Sequence, residues 1–293
     1  MKILIIGKNG QLGKSINKII SKNQHHNQFV FTSRKELDLS IKDSIINYFN
    51  THQFDIVVNC AAYTAVDKAE SEEKEANIIN HIAIEQIALV LKNKKTKLIH
   101  ISTDYIFDGE GSKPYKENDP PNPINVYGRT KLLGELAIIN NMPNNALIIR
   151  TSWLYSEFNV NFVTSMLRLG SERNQLSIVS DQIGAPTYAV DLAKTILTIT
   201  QNETFIKPNQ PTQIYHYSNL GSCSWFDFAK KIFELANINC KISPIKTKDF
   251  DSQAKRPLFS IMNKDKILNT FDLNISNWKE SLNDCIKEII KTT

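Results

Sequence analysis

Tyr127 and Lys131 stand four residues apart in Tyr127-Gly128-Arg129-Thr130-Lys131, and at the start of a helix they share one face. A phenol beside a cationic amine is a tunable proton donor, the group that carbonyl reduction needs for the developing alkoxide. In so lysine-rich a chain this spacing arises by chance about as often as not, but only Tyr127 among the nine tyrosines satisfies it. It follows the loop Pro120-Pro121-Asn122-Pro123 and, before that, an apolar run ending at Ser102-Thr103. A Thr103 hydroxyl at the carboxyl end of a parallel strand stands where doubly wound sheets bind their ligands.

A second constellation opens the chain. The run Lys2–Ile6 leads into Gly7-Lys8-Asn9-Gly10-Gln11-Leu12-Gly13, and Ser15 to Ile20 read as the start of a helix. Glycines permit the tight turn and a close approach to pyrophosphate, whose charge the amides of a helix N-terminus stabilise. The spacing is GxxGxxG rather than GxGxxG, yet it uses three of only ten glycines and sits at the end of the first strand. At the second strand's end, Phe31-Thr32-Ser33-Arg34 shows no carboxylate to hold a ribose, and Arg34 could accept a 2′-phosphate. That favours NADPH over NADH, with an ordinary surface arginine as the alternative; Asp38 and Leu39 follow in the same loop.

The elements that must position these groups are legible from periodicity. Lys2–Ile6, Phe29–Phe31, Asp55–Asn59, Lys97–Ser102 and Ala146–Thr151 read as strands. Lys42–Phe49, Ile78–Leu91 and Gly128–Asn140 read as amphipathic helices between them. Such alternation implies βαβ units and a Rossmann-type, doubly wound parallel sheet of the α/β class. Beyond about residue 155 the pattern loosens. It gives helices at Val160–Leu169, Asp191–Thr200 and Trp225–Ala236, and strands at Ser177–Val179, Ile214–Ser218 and Lys241–Pro244. Thr204–Thr212, with two prolines, reads as a surface connection, and Ser281–Ile290 as a C-terminal helix. The expected division is an NAD(P)-binding domain of residues 1–170 and 193–230, with a smaller interleaved α/β substrate-binding domain of 171–192 and 231–293.

Composition narrows the classes. With 293 residues, 41% hydrophobic and 22% charged, the chain can bury a large core. A net charge of +5, scattered over 35 basic and 30 acidic residues, excludes a nucleic-acid footprint. Cys60, Cys223, Cys240 and Cys285 form no CxxC pair, and the six histidines, including His100, form no HExxH or HxxxH pair, so no metal is expected. The first apolar run is too short for a signal peptide or a membrane span, giving an expectation of a cytoplasmic protein with no membrane partner.

Gly7–Gly13, Asn59-Cys60-Ala61-Ala62, Ser102-Thr103-Asp104 and Tyr127–Lys131 together resemble an extended short-chain dehydrogenase/reductase. The resemblance implies that Thr103 polarises a ketone, Tyr127 donates the proton and Lys131 tunes it. It also implies that Ala61, Ala62, Tyr63 and Thr64 line the cofactor cleft. Ala65-Val66-Asp67-Lys68-Ala69-Glu70, Ser102-Thr103-Asp104-Tyr105-Ile106-Phe107, Arg150-Thr151-Ser152-Trp153 and Asp181-Gln182-Ile183-Gly184-Ala185-Pro186-Thr187 are similar, in order, to segments of the dTDP-4-dehydrorhamnose reductase family, and Arg256-Pro257 completes the match. That family reduces the 4-keto group of dTDP-6-deoxy-L-lyxo-4-hexulose to dTDP-L-rhamnose, a sugar donor for cell-surface polysaccharide. The implied substrate contacts are Thr103, Asp104, Tyr127, Trp153, Gln182 and Arg256, although Trp153 read alone is a core residue.

Two departures limit the carry-over. Some members are described as dimers bridged by magnesium through glutamates, but the matching positions are Ser15 and Val190, so a monomer or a metal-free homodimer is the expectation. Related dehydratases carry an acid directly after Thr-Asp, and here that residue is Tyr105, which disfavours elimination. Another nucleotide-sugar 4-ketoreductase or epimerase, and a non-catalytic subunit like the β subunit of methionine adenosyltransferase, remain open readings.

Overall fold

Apolar β-branched runs bounded by glycine, proline and polar turns become strands buried on both faces. In the computed structural model, which describes residues 1–22 and 26–292, the first half of the chain alternates strand and helix. Strands β1 (Lys2–Ile6), β2 (Gln28–Thr32), β3 (Ile56–Asn59), β4 (Lys97–Thr103) and β5 (Ala146–Thr151) interleave with α1 (Gln11–Lys22), α2 (Lys42–Thr51), α3 (Val66–Ala69), α4 (Glu73–Asn77), α5 (Ala83–Leu91) and α6 (Val126–Asn141). The second half supplies strands β6 (Leu154–Tyr155), β7 (Gln175–Val179), β8 (Ile183–Gly184), β9 (Thr187–Tyr188), β10 (Gln213–Tyr217), β11 (Cys223–Ser224) and β12 (Lys241–Ile245). Its helices are α7 (Phe162–Glu172), α8 (Ala189–Ile199), α9 (Glu203–Ile206), α10 (Trp225–Ala236), α11 (Asp265–Phe271) and α12 (Trp278–Thr292).

The main sheet runs β10-β5-β4-β3-β1-β2 with every neighbouring pair parallel. The chain leaves β1 for β2 on one side and returns to β3 on the other, so the strand order reverses at β1. Side chains alternate between faces, as the two-residue period of a strand requires. Ile3 and Ile5 join Leu12 and Ile16 of α1 and Leu192 and Ile196 of α8 on one face. Leu4 and Ile6 join Ile45 and Phe49 of α2 and Ile84 and Ile87 of α5 on the other. A third core, with Tyr155, Val163, Leu176, Phe228, Phe233, Trp278 and Leu282, forms the smaller lobe around the paired strands β7 and β12. Helices α7 and α10 pack into this third core, whereas α11 packs through Ile267 and Phe271 against the main sheet.

Three expectations need correction. Helix α1 begins at Gln11, not Ser15, because the glycine turn is itself the first helical turn. A Cβ placed on Gly13 would lie 2.3 Å from the Gly7 carbonyl oxygen and 2.9 Å from Lys8 Cα, both backbone atoms that cannot rotate away. Gly13→Ala is therefore expected to cost about 1–3 kcal/mol by overpacking, read as a lower thermal midpoint. The helix expected over Ile78–Leu91 is interrupted by a π turn at Ile78–Ile82 between α4 and α5. The stretch Thr204–Thr212 is not all connection, since α9 covers Glu203–Ile206 under an Asn202 cap. No helix among the described residues is long and apolar enough to cross a membrane.

Candidate active site

Backbone geometry builds the cleft before any side chain enters it. Gly7 leaves β1 with φ 91°, in the left-handed region, and a Cβ there would fall 2.9 Å from the Ala61 amide nitrogen. Only glycine lets the turns after β1 and β3 approach so closely. The amides of Gly7 and Lys8 both donate to the Thr32 carbonyl, tying the turn to the end of β2. The resulting cleft, about 650 Å³, opens at the carboxyl ends of β1, β3, β4 and β5. Of the expected site residues, Gly7, Gly10, Gln11, Leu12, Ala61, Ala62, Thr64, Thr103, Asp104, Tyr127, Lys131 and Trp153 line it together.

The catalytic candidates are presented by a capped helix. Asn125 Oδ1 accepts from the Gly128 amide at 2.7 Å and starts α6, so Tyr127 and Lys131 project from its first two turns. Gly128 lets α6 lie against Tyr105, because a Cβ there would sit 2.1 Å from that carbonyl oxygen. Thr103 Oγ1 donates to Asp104 Oδ1 at 3.1 Å and accepts from the Tyr105 amide, in the cleft that Tyr127 also lines.

The electrostatics differ from the sequence expectation. Lys131 does not hold the phenolate: its ammonium nitrogen donates to the Ile101 carbonyl at 2.6 Å and lies 3.3 Å from His100 Nε2. Burial pushes the Tyr127 hydroxyl up to about 12, against the opposing influence of the Thr103 hydroxyl, so the protonated, donor form prevails at neutral pH. Burial also brings Lys131 down to about 8, with Glu135 opposing.

Asp104 is fully buried, with one oxygen lacking any hydrogen-bond partner, and burial raises its carboxyl to about 7. A folded-state value above the unfolded one means stability that is present at low pH and lost as pH rises toward about 7. Asp104→Asn is thus expected to gain on the parent by on the order of 2 kcal/mol between about pH 5 and about pH 8, measured by denaturant melts at both.

Other expected residues lie outside the cleft wall. Arg34 is exposed beyond β2 and bridges to Asp38 at 3.0 Å, with Ser40 also accepting from it. Leu39 is a core residue beneath α2. The second strand's tip is not free of carboxylate: Glu36 folds back to accept from Ser33 and pairs with Lys8 at 2.7 Å. Those partners hold the Glu36 carboxyl down at about 2. Gly13 packs under the turn, and the Tyr63 hydroxyl is engaged by Glu72.

Gln182 and Arg256 act through neighbours. Gln182 Oε1 accepts from Trp225 Nε1 at 3.2 Å, and Trp225 stacks on Trp153 with ring centres 3.5 Å apart. Arg256 grips Asp67 at 2.6 Å, and its charge lies close enough to Tyr105 to interact with it. Trp153 has φ 47°, a left-handed backbone that is unfavourable for so bulky a residue, and Gly184 leaves room for its ring. It therefore faces the cleft rather than serving as plain core.

Sequence reasoning missed Trp225, Asn80 and the buried pair Asn59 and His100. Asn80 sits in the π turn and clamps Tyr63, accepting from its amide at 2.9 Å and donating to its carbonyl. Asn59 and His100 interrupt otherwise apolar buried strands, a signal that each must have a partner.

The family resemblance is borne out across the whole chain. The sequence model of the RmlD substrate binding domain family matches residues 1–291. A dTDP-4-dehydrorhamnose reductase of Sinorhizobium fredii is 36% identical over 285 residues, covering 96% of this chain and 95% of the relative. The chain belongs to the dTDP-4-dehydrorhamnose reductase family. The family also brings a spore coat polysaccharide biosynthesis protein of Bacillus subtilis, SpsK, 35% identical over 98% of this chain and 97% of its own. A solved family structure, the Bacillus anthracis dTDP-4-dehydrorhamnose reductase in complex with NADP, superposes with a TM-score of 0.91. It is 38% identical over 98% of this chain and 99% of that one.

A magnesium bridge of the kind described for some family members does not fit these residues. Ser15 is buried with its hydroxyl on the Gln11 carbonyl, and Val190 packs in the third core.

Proposed function

We propose that this chain reduces the 4-keto group of dTDP-4-dehydro-β-L-rhamnose to dTDP-L-rhamnose, using NADPH in preference to NADH. The observation that carries the reading is the gathering of Thr103, Tyr127 and Lys131 in the same cleft as the glycine turn, with the phenol protonated at neutral pH. The cofactor, when bound, supplies the hydride. Gly7 and Gly10, with Gln11 and Leu12 at the start of α1, cradle its pyrophosphate over the turn that Gly13 lets close, and Ala61, Ala62 and Thr64 follow its edge, with Tyr63 behind them. Arg34, released from Asp38, meets the 2′-phosphate beside Leu39, in keeping with the NADP held by the Bacillus anthracis relative.

Tyr127 gives its proton to the oxygen that was the ketone, and Thr103 donates to that oxygen as its charge grows. Asp104, with its spare buried oxygen, accepts a sugar hydroxyl. Trp153 covers the sugar, while Gln182 and Arg256 hold the cleft wall through Trp225 and Tyr105. In the proposed division, residues 1–170 and 193–230 form the cofactor lobe and 171–192 and 231–293 the substrate lobe, except that α7 and α10 pack in the smaller lobe, α11 packs on the main sheet, and Thr103, Asp104 and Trp153 reach across to the sugar. The chain works in the cytoplasm as a monomer or metal-free homodimer, feeding cell-surface polysaccharide synthesis. The test follows NADPH and NADH oxidation with dTDP-6-deoxy-L-lyxo-4-hexulose and identifies the sugar formed. Turnover to dTDP-L-rhamnose supports the reading. The talose epimer would reassign the product, and cofactor binding without oxidation would turn the reading toward a regulatory subunit.

A further inference from the structure

Behind the cleft a chain of four groups runs from backbone to amine. The Ala61 amide donates to Asn59 Oδ1 at 3.1 Å. That bond fixes the orientation of the Asn59 amide, because turning it over would set two donors against each other. Asn59 Nδ2 then points at His100 Nδ1, 3.1 Å away, as a donor. His100 Nδ1 must therefore accept, which puts the ring proton of the neutral imidazole on Nε2. His100 Nε2 faces Lys131 Nζ at 3.3 Å, and Lys131 already donates to the Ile101 carbonyl. Asn59, His100 and Lys131 are all buried.

We propose that Asn59 and His100 are positioning residues that hold the imidazole in its Nε2–H form and so weaken the grip of Lys131 on its proton. A neutral amine suits this pocket: it donates to Ile101 and accepts from Nε2–H. An ammonium turns a donor toward a donor. The other titratable groups around the amine are Tyr127 and Glu135 on α6, Cys60 after β3 and Asp104 after β4. Arg150 on β5 occupies Glu135, with bonds of 3.0 and 2.7 Å from Nε and Nη2, which limits the support Glu135 gives an ammonium. Burial keeps His100 far below its usual range, so it does not itself carry charge. The consequence is an amine that can exchange a proton near neutral pH.

This inference rests on the reductase reading only for its purpose, and its two decisive readouts, the His100 tautomer and the Lys131 midpoint, are independent of turnover. Nitrogen-15 NMR of the free, full-length protein reports which ring nitrogen of His100 is protonated. The Lys131 side-chain resonance, assigned by its loss in Lys131→Met, reports the amine's titration. The expected result is an unprotonated Nδ1 and a protonated Nε2. Asn59→Asp supplies an acceptor in place of the donor, so the proton should move to Nδ1, and the Lys131 midpoint should rise by about one pH unit, a tenfold change in proton affinity. The alkaline limb of kcat/KM should move with it, which loss of packing alone would not produce. A protonated Nδ1 in the parent overturns the proposal even if the variant fails to fold, as does an unmoved Lys131 midpoint in a folded variant. The expected tautomer in a protein that turns over no dTDP-sugar would leave this inference standing and sink the reductase reading.

Discussion

Tyr127→Phe is expected to lower kcat for ketone reduction by about 10²–10⁴-fold, the contribution of a positioned general acid, with little change in cofactor affinity. The side chain keeps its ring, so the edge-to-face contact with Tyr105, at 5.8 Å between centres, survives. What is lost is the phenolic hydroxyl, the proton donor assigned to the reaction, in the cleft it shares with Thr103. Stopped-flow single turnovers would separate the chemical step from product release. A variant that retains more than about a tenth of the parental rate constant would remove Tyr127 from the role of proton donor.

The second large effect is structural. Arg150 and Glu135 are 3% and 1% exposed, and the guanidinium engages both carboxylate oxygens through Nε and Nη2. Arg150 also reaches the Glu117 carbonyl and stands over the Phe107 ring. Glu135→Leu leaves that charge without its counterion, an arrangement that typically costs about 3–5 kcal/mol. The thermal midpoint should fall by on the order of 10 °C. Because the penalty is that of an orphaned charge rather than a lost attraction, Glu135→Leu combined with Arg150→Met should recover most of the loss. If the double variant is as unstable as the single one, packing around Glu135 rather than charge is responsible.

What the sequence discloses follows the range of the interactions concerned. The main strands and the glycine turn are local patterns: a two-residue period, a β-branched run, glycines at a fixed spacing. They come through within a residue or two, as β1 and α10 illustrate. The start of α1 does not, since Gly10 and Gly13 read as turn residues while their backbone is already turning into helix. The partners of side chains are less accessible. Arg256 meets Asp67 across 189 positions, and Trp225 meets Trp153 by stacking between distant segments, neither of which leaves a periodic trace. Arg34 and Asp38 were individually visible as cofactor candidates, but not their engagement with each other, because four residues in a loop carry no fixed geometry.

Strand β10 lies at the edge of the main sheet beside β5, yet it is made from residues 213–217, after the chain has already contributed most of the smaller lobe's first helix and strands. Helices α8 and α11, also late in sequence, cover one face of β1 and β3. A nascent chain that has cleared the ribosome only as far as β5 therefore holds a sheet with an open edge and, beside α1, a partly covered apolar face. It has every residue of the glycine turn and of the Tyr127–Lys131 pair, but no folded unit to hold them. Synthesis must run through α11 before the main sheet has all its helices on that face, and neither lobe is separable from the other by a single cut.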